Sequence, residues 1–209
     1  MHQPINHRSM QADATNASSA MARQRGVSLI IVMLIMVVVA MLGISGVQVA
    51  MMAERGARND RDMQIAFQAA EAALIDAEFD INSKSAANKR AVNPFSKDNA
   101  RMLFLPDCAG TGGSLGLCAE RLSTDIPDWL RVDFTDTSTS AKTVEFGKFT
   151  GRAFPVGAAG IQSYQKPRYL IELLADPLSK DFNPYYRITA MGFGPRQDIQ
   201  VVLQMVYRN

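Results

Sequence analysis

Residues 27–53 read VSLIIVMLIMVVVAMLGISGVQVAMMA, a single uncharged and mainly apolar run in a chain of 209 residues. The run contains no Asp, Glu, Lys, Arg or His. A helix of this length reaches about 40 Å at roughly 1.5 Å per residue, which is enough to cross the hydrocarbon core of a membrane. The run therefore predicts a transmembrane helix, and the rest of the chain is organised on either side of it.

The polar segment before the run, residues 1–26, ends in Arg25 and Gly26 and allows three interpretations. A secretory signal peptide has an apolar core of only about 7 to 15 residues, so the length of the run disfavours it. A plain single-pass anchor fits the length. Charge does not orient such an anchor, because three arginines precede the run and three follow it (Arg8, Arg23 and Arg25; Arg55, Arg58 and Arg61). The third interpretation is a processing site at Gly26.

The composition argues against an enzyme. Both histidines, His2 and His7, precede residue 27, so a chain cut there has no Ser-His or Cys-His catalysis and no imidazole zinc site. The remainder carries 19 basic and 19 acidic residues and gives no net-charge argument for nucleic-acid binding. Asp181 and Asn183 could suit calcium but are more typical of a turn. We expect no catalytic residue, cofactor, metal, nucleic acid or small-molecule substrate.

Residues 54–82 contain no proline and change to a periodic pattern. Apolar residues recur at spacings of four and three, which places them in a narrow stripe on one helical face. The stripe predicts a helix that packs on the domain that follows it, with the acidic residues largely elsewhere. Its members are Met63, Phe67, Ala70, Leu74, Ala77 and Ile81.

The clearest strand patterns lie at the carboxyl end, at residues 168–174, 185–191 and 199–207. In the third, apolar residues alternate with a mixed set, and residues 192–198 supply a turn before it. We expect an antiparallel sheet laid on the helical stripe. The middle of the chain to about residue 165 predicts loops, short strands and a short helix near residues 127–130.

The segments around the apolar run resemble those of a known family. Arg25-Gly26-Val27 is similar to a type IV prepilin cleavage site, and the stretches ERGARNDRD at 54–62 and AFQAAEAAL at 66–74 resemble PilX-type minor pilins. The ending, YRITAMGFG at 186–194 and QVVLQ at 200–204, is similar to the closing strands of that family. The resemblance implies an α+β type IV pilin fold, with a long N-terminal helix packed on a C-terminal antiparallel sheet. Residues 83–165 match no motif of the family.

The resemblance also implies processing and a specialised position. A prepilin peptidase would cut after Gly26 and methylate the new amino terminus of Val27. Most pilins then carry a glutamate at the fifth mature position, where it neutralises the amino terminus of a neighbouring subunit, whereas Ile31 stands there in this chain. Its absence is typical of PilX-type proteins and suggests a subunit at the filament tip.

Cys108 and Cys118 are the only two cysteines, and they bracket a glycine-rich stretch. A domain exported across the inner membrane meets an oxidising compartment in which they can pair. A loop of about eleven residues closed in this way would stabilise the fold by about 2 to 3 kcal/mol. A metal site is disfavoured, because two thiolates lack further ligands nearby.

Together with this resemblance, the sequence predicts four segments: a prepilin leader (1–26), a transmembrane and assembly half-helix (27–53), an amphipathic half-helix (54–82) and a periplasmic head (83–209). The expected function is initiation of type IV pilus assembly in a minor-pilin complex at or near the tip, with adhesion or twitching motility as further roles. The expected partners are other minor pilins, the major pilin, prepilin peptidase and the inner membrane. Two alternatives stay open: the tip pseudopilin of a type II secretion system, and an unprocessed periplasmic adaptor.

Overall fold

The computed structural model describes residues 27–82, 90, 92–119, 125–156, 162–174 and 184–208. Helix α1 runs from Val27 to Asn82 as one α-helix of 56 residues. The chain divides into two compact units at residue 51. The described part of the first unit consists of the apolar beginning of α1, and the second unit contains the rest of α1 together with the head.

The head combines short helices with one sheet. Two short α-helices and two 3-10 turns occupy its first half, and the long strands lie at the carboxyl end. The elements in chain order are α2 (Lys97–Leu103), 3-10 turns at Pro106–Cys108 and Gly112–Ser114, β1 (Leu117–Cys118), α3 (Asp128–Arg131), β2 (Val144–Glu145), β3 (Arg168–Leu174), β4 (Tyr185–Phe193) and β5 (Gln200–Arg208).

Strand β3 lies at the centre of the sheet. One of its edges pairs antiparallel with β4, which in turn pairs antiparallel with β5. Its other edge is shared: β2 pairs antiparallel at the start of β3, and β1 pairs parallel further along, with Leu117 opposite Ile171. The α+β class and the long helix on a sheet are confirmed, and the parallel β1 makes the sheet mixed.

The helix approaches β4 unusually closely at Gly192. A Cβ atom added at this glycine would lie 2.1 Å from the carbonyl oxygen of Ala66 and 2.3 Å from the backbone nitrogen of Ala70. Two alanines on the helix and a glycine on the strand therefore let the two backbones meet directly. This contact explains why α1 carries small residues where it meets β4.

Both faces of strand β3 are covered. Tyr169, Ile171 and Leu173 of β3 pack with α1, and Leu170 packs on the opposite face with the two cysteines and Phe134. A strand covered on both faces is buried at nearly every position, as β3 is. By contrast, β5 alternates between exposed and half-buried residues, as its sequence predicts.

The predicted strand boundaries differ from the structure at β4. The sequence pattern assigned Gly192 and Phe193 to the turn, but both belong to β4. Phe193 is fully buried and packs edge-on against Tyr164, so the strand continues to it. The turn is closed by the Gly194 amide, which donates to the Ile199 carbonyl at 2.8 Å.

Candidate functional site

The first half of α1 is apolar and exposed over its whole length. Among the residues that the structure describes, α1 is the one helix long and apolar enough to cross a membrane, and none of its most apolar stretch is buried. Every residue from Val27 to Ala53 is exposed. Side chains of this kind need lipid or other apolar helices around them.

The predicted processing junction lies at the edge of the described chain. Val27 is the first described residue and the first residue of α1, whereas Gly26 and the leader lie outside the described residues. Ile31 lies one turn further and is 53% exposed. The first turn of the helix carries no acidic side chain. The amino terminus of a neighbouring helix would therefore find no carboxylate at position 31 to neutralise it.

The predicted packing stripe of α1 is only partly right. Ala70, Ala77 and Ile81 are buried and Leu74 is half-buried, but Met63 and Phe67 are exposed. The contact with Gly192 is the reason, because it requires small residues and turns the bulky ones outward. The buried face instead consists of Ala66, Ala69, Ala70, Ala73, Asp76, Ala77, Asp80 and Ile81.

Asp80, on the buried face of α1, holds an arginine in the core. The Arg90 guanidinium donates to both carboxylate oxygens, from Nε at 2.8 Å and from Nη2 at 2.6 Å, and both side chains are completely buried. The Tyr169 hydroxyl donates to the same carboxylate at 3.0 Å. Burial and the neighbouring Asp80 raise the pKa of Tyr169 well above its ordinary value. This carboxylate thus joins α1 to β3 and to Arg90.

Arg90 extends the same network into the loops of the head. Its guanidinium lies 3.7 Å from the ring centroid of Phe149, and it donates to the backbone carbonyls of Gly113 and Leu115. A cation stacked on an aromatic face and bonded through several N–H groups is well compensated inside a core. Arg90 therefore positions the loop that the two cysteines bracket.

Asp76, one turn before Asp80, fastens a second loop. Its carboxylate accepts from the Gly147 amide at 2.8 Å and from the Thr150 hydroxyl at 2.6 Å, and Arg152 lies 3.6 Å away. Burial raises the pKa of the Asp76 carboxyl above its ordinary 3.8, although the two hydrogen bonds and Arg152 oppose the shift. Asp76 thus ties the loop after β2 to α1.

The sequence interpretation missed both aspartates, because it placed the acidic residues largely outside the packing face. A signal was nevertheless present. The alanines at positions 66, 69, 70, 73 and 77 follow helical spacing, and Asp76 and Asp80 lie on the same face. A face of small residues with two carboxylates one turn apart indicates buried acids that meet cations or backbone amides from the head.

Cys108 and Cys118 form a disulfide with an S–S distance of 2.00 Å, and both are buried. Cys118 ends β1, and Cys108 ends the first 3-10 turn. Three possible ligand atoms lie within 4.8 Å of one another here, from the two cysteines and Asp128. Because the sulfurs are bonded to each other, this group offers a metal no thiolate.

Comparison with protein families matches two models to the chain. The model of the PilX N-terminal region matches residues 25–74, and the model of the C-terminal part of the type IV pilus assembly protein PilX matches residues 112–209. The chain belongs to the PilX family. No curated protein and no solved structure matches it significantly.

The two PilX matches cover most of the structure described above. The N-terminal match begins at Arg25, next to the predicted processing junction, and ends at Leu74. The C-terminal match includes residues 112–165, for which the sequence resemblance offered no motif. Asp76, Asp80 and Arg90 fall between the two matches. Membership in the PilX family identifies the chain as a type IV pilus assembly protein.

Proposed function

We propose that this PilX-family protein is a minor pilin that helps to initiate type IV pilus assembly within a complex of minor pilins at or near the pilus tip. The observation that carries the proposal is the exposed apolar length of α1, in a chain whose family assembles pili. The proposed role is association and requires no catalytic group.

Exposed apolar side chains on the second half of α1 support this association. Met63, Phe67 and Ile75 are 41%, 44% and 47% exposed, on a helix whose opposite side is buried against the sheet. Exposed bulky residues on a helix beyond the membrane span are typical of a surface that another helix covers. We propose that α1 packs along its length with the helices of other minor pilins and of the major pilin.

We further propose that the protein is made with a leader that prepilin peptidase removes. The cut would follow Gly26, and the new terminus at Val27 would be methylated. Before assembly the protein would cross the inner membrane once with a periplasmic head, and afterwards it would lie in the pilus at the cell surface. Roles in adhesion and twitching motility belong to this proposal as consequences of a tip location.

Mass spectrometry of the protein from cells with and without prepilin peptidase tests the processing step. We expect loss of residues 1–26 and one added methyl group on Val27 only when the peptidase is present. Gly26→Leu should leave the full-length mass, whereas the matched change Gly43→Leu, inside the helix, should still be cut. An unchanged full-length mass in both strains would favour an unprocessed periplasmic adaptor.

Deletion of the gene then tests the assembly role. We expect the number of surface pili to fall while type II secretion continues, and we expect the protein to label pilus ends in immunogold micrographs. Loss of secretion with normal pili would instead identify a tip pseudopilin of a secretion system. Uniform labelling along the fibre would contradict the tip location.

A further inference from the structure

A cavity of about 360 Å³ on the head has four cationic side chains among its nine lining residues. It lies beside the β2 strand and the loop that follows it, with β3 at one wall. The side chains that carry the argument are Glu145, Lys148, Arg152, Lys166 and Arg168. Four of these five are basic, in a part of the chain that is neutral overall.

Arg168 is a fixed cation in the wall of this cavity. Its side chain is only 7% exposed. Two hydrogen bonds to Thr143 hold the guanidinium, from Nε to the hydroxyl at 2.6 Å and from Nη2 to the carbonyl at 2.8 Å. Thr143 is neutral, so these bonds orient the guanidinium without cancelling its charge. Burial lowers the pKa of Arg168, and the charges of Glu145 and Asp136 oppose this shift.

Glu145 is the carboxylate of the lining, and two cations share it. Lys166 lies 2.6 Å from one of its oxygens, and Arg168 lies 3.8 Å from the other. The Arg168 contact is longer than a hydrogen bond. Glu145 therefore neutralises Lys166 well and Arg168 poorly.

The other two cations of the lining, Arg152 and Lys148, are exposed. Arg152 leans toward the buried Asp76 at 3.6 Å. Lys148 is exposed and makes no ion pair within the described parts of the chain. Asp136 interacts with Arg168 as well. With Asp76 and Asp136 included, the cations still outnumber the carboxylates by one.

We propose that this cavity binds a phosphate or sulfate oxyanion, either as the free ion or as the end group of a larger molecule. An orienting arginine, two lysines and a second arginine around one concave surface match the several acceptor oxygens of such a group. Thr137 and Ser138 add hydroxyl groups to the lining. The proposal stands independently of the role in pilus assembly, since it concerns the head alone.

Calorimetric titration of the purified full-length protein in detergent tests the proposal. Inorganic phosphate and sulfate are added at constant ionic strength, with chloride as the replaced anion. We expect saturable binding at one site. Lys148→Gln should weaken binding about tenfold, as expected for loss of one charged hydrogen bond. Glu145→Gln should strengthen it several-fold, because it removes the competing carboxylate without changing the shape of the side chain.

A matched control is Arg208→Gln, which removes an exposed cation at the end of β5, outside the cavity lining. It should leave the affinity unchanged. Glucose 6-phosphate, titrated in parallel, separates the two sources: binding at least as tight as that of phosphate indicates an end group, and binding of the inorganic ions alone indicates a free anion. The proposal is overturned if no anion gives saturable heat, or if Lys148→Gln and Arg208→Gln weaken binding equally.

Discussion

Arg90 and Asp80 form a two-point ion pair inside the core, with the guanidinium Nη2 2.6 Å from the carboxylate and no solvent exposure of either side chain. The two residues are ten positions apart in the sequence, one at the end of α1 and the other beyond it. Removing both charges from water costs a large desolvation free energy, which the ion pair and its further hydrogen bonds must offset. Removal of either charge would therefore leave the other one buried without this ionic partner.

Replacement of Arg90 by methionine should destabilise the head severely. Asp80 would stay buried without the guanidinium that donates to both of its carboxylate oxygens, so we expect a loss of about 3 to 5 kcal/mol in the free energy of unfolding. Urea unfolding followed by circular dichroism measures it. The matched control is Arg58→Met, which breaks an exposed pair with Glu54 of the same 2.6 Å length and should cost about 1 kcal/mol or less. Equal losses in the two variants would contradict the structural role of Asp80.

The Asp76 carboxyl should make the stability of the head depend on pH in an unusual direction. Its pKa is raised above the ordinary 3.8 by burial, so the folded state binds a proton more readily than the unfolded state. Stability from this group is therefore present at low pH and is lost as the pH rises through the folded pKa. Asp76→Asn removes the effect. Its amide can still accept from Gly147 and donate to Thr150, so we expect a change of about 1 kcal/mol or less at neutral pH.

The measurement is the difference in unfolding free energy between the wild type and Asp76→Asn from pH 7 down to pH 4. We expect this difference to move in favour of the wild type as the pH falls. A constant difference, or a shift in favour of the variant, would show that the hydrogen bonds to the carboxylate outweigh its burial.

A single methyl group at Gly192 should separate the helix from the sheet. The added Cβ would meet backbone atoms of Ala66 and Ala70 at 2.1 and 2.3 Å, and backbone atoms in a helix cannot turn aside. We expect Gly192→Ala to cost at least about 2 kcal/mol. Gly56→Ala is the control, since a Cβ there meets nothing within 4 Å, and it should stabilise the helix by up to about 1 kcal/mol. A neutral Gly192→Ala in thermal unfolding would refute the close contact.

A carboxylate at position 31 should impair assembly if the protein occupies a position without a partner amine. Ile31→Glu places a charge in the apolar span, where it costs several kcal/mol unless it is paired. We expect fewer surface pili from cells that carry this variant as their only copy, and unchanged numbers with Ile31→Leu. Normal pilus numbers with Ile31→Glu, or its appearance along the fibre, would indicate that a partner amine is available.

The sequence predicted the elements whose periodic pattern extends over many consecutive residues. Helix α1 and the strands at the carboxyl end have patterns that extend over several turns or pleats, so their class and approximate limits were evident. The buried face of α1 was harder to predict, because it is set by the contact with Gly192, which lies more than a hundred residues further along the chain. Large apolar residues such as Phe67 appeared suited to the core, but the close backbone contact excludes them from it.

The polar contacts of the head escaped prediction for a related reason. Asp80 meets Arg90 and Tyr169 only after the loops have folded around α1, and no local pattern links the three. Strand β1 is equally non-local, since its two residues become a strand by pairing with β3. The cationic cavity is likewise formed by residues from β2, its following loop and β3, whose positive charges are diluted in a neutral sequence.

The disulfide joins Cys108 to Cys118, and both of these residues belong to the head. The chain has two cysteines in all, so apart from the backbone no covalent bond can join the helix to the sheet. A pulling force between the helix and the sheet is therefore carried by non-covalent contacts. They include the hydrogen bonds from Tyr169 to Asp80 and from Tyr207 to Asn82, the apolar packing of β3 on α1, and the fit of Gly192 against the alanines. A reducing agent would break no bond between the helix and the sheet, whereas loss of the Asp80 carboxylate would remove one of these contacts.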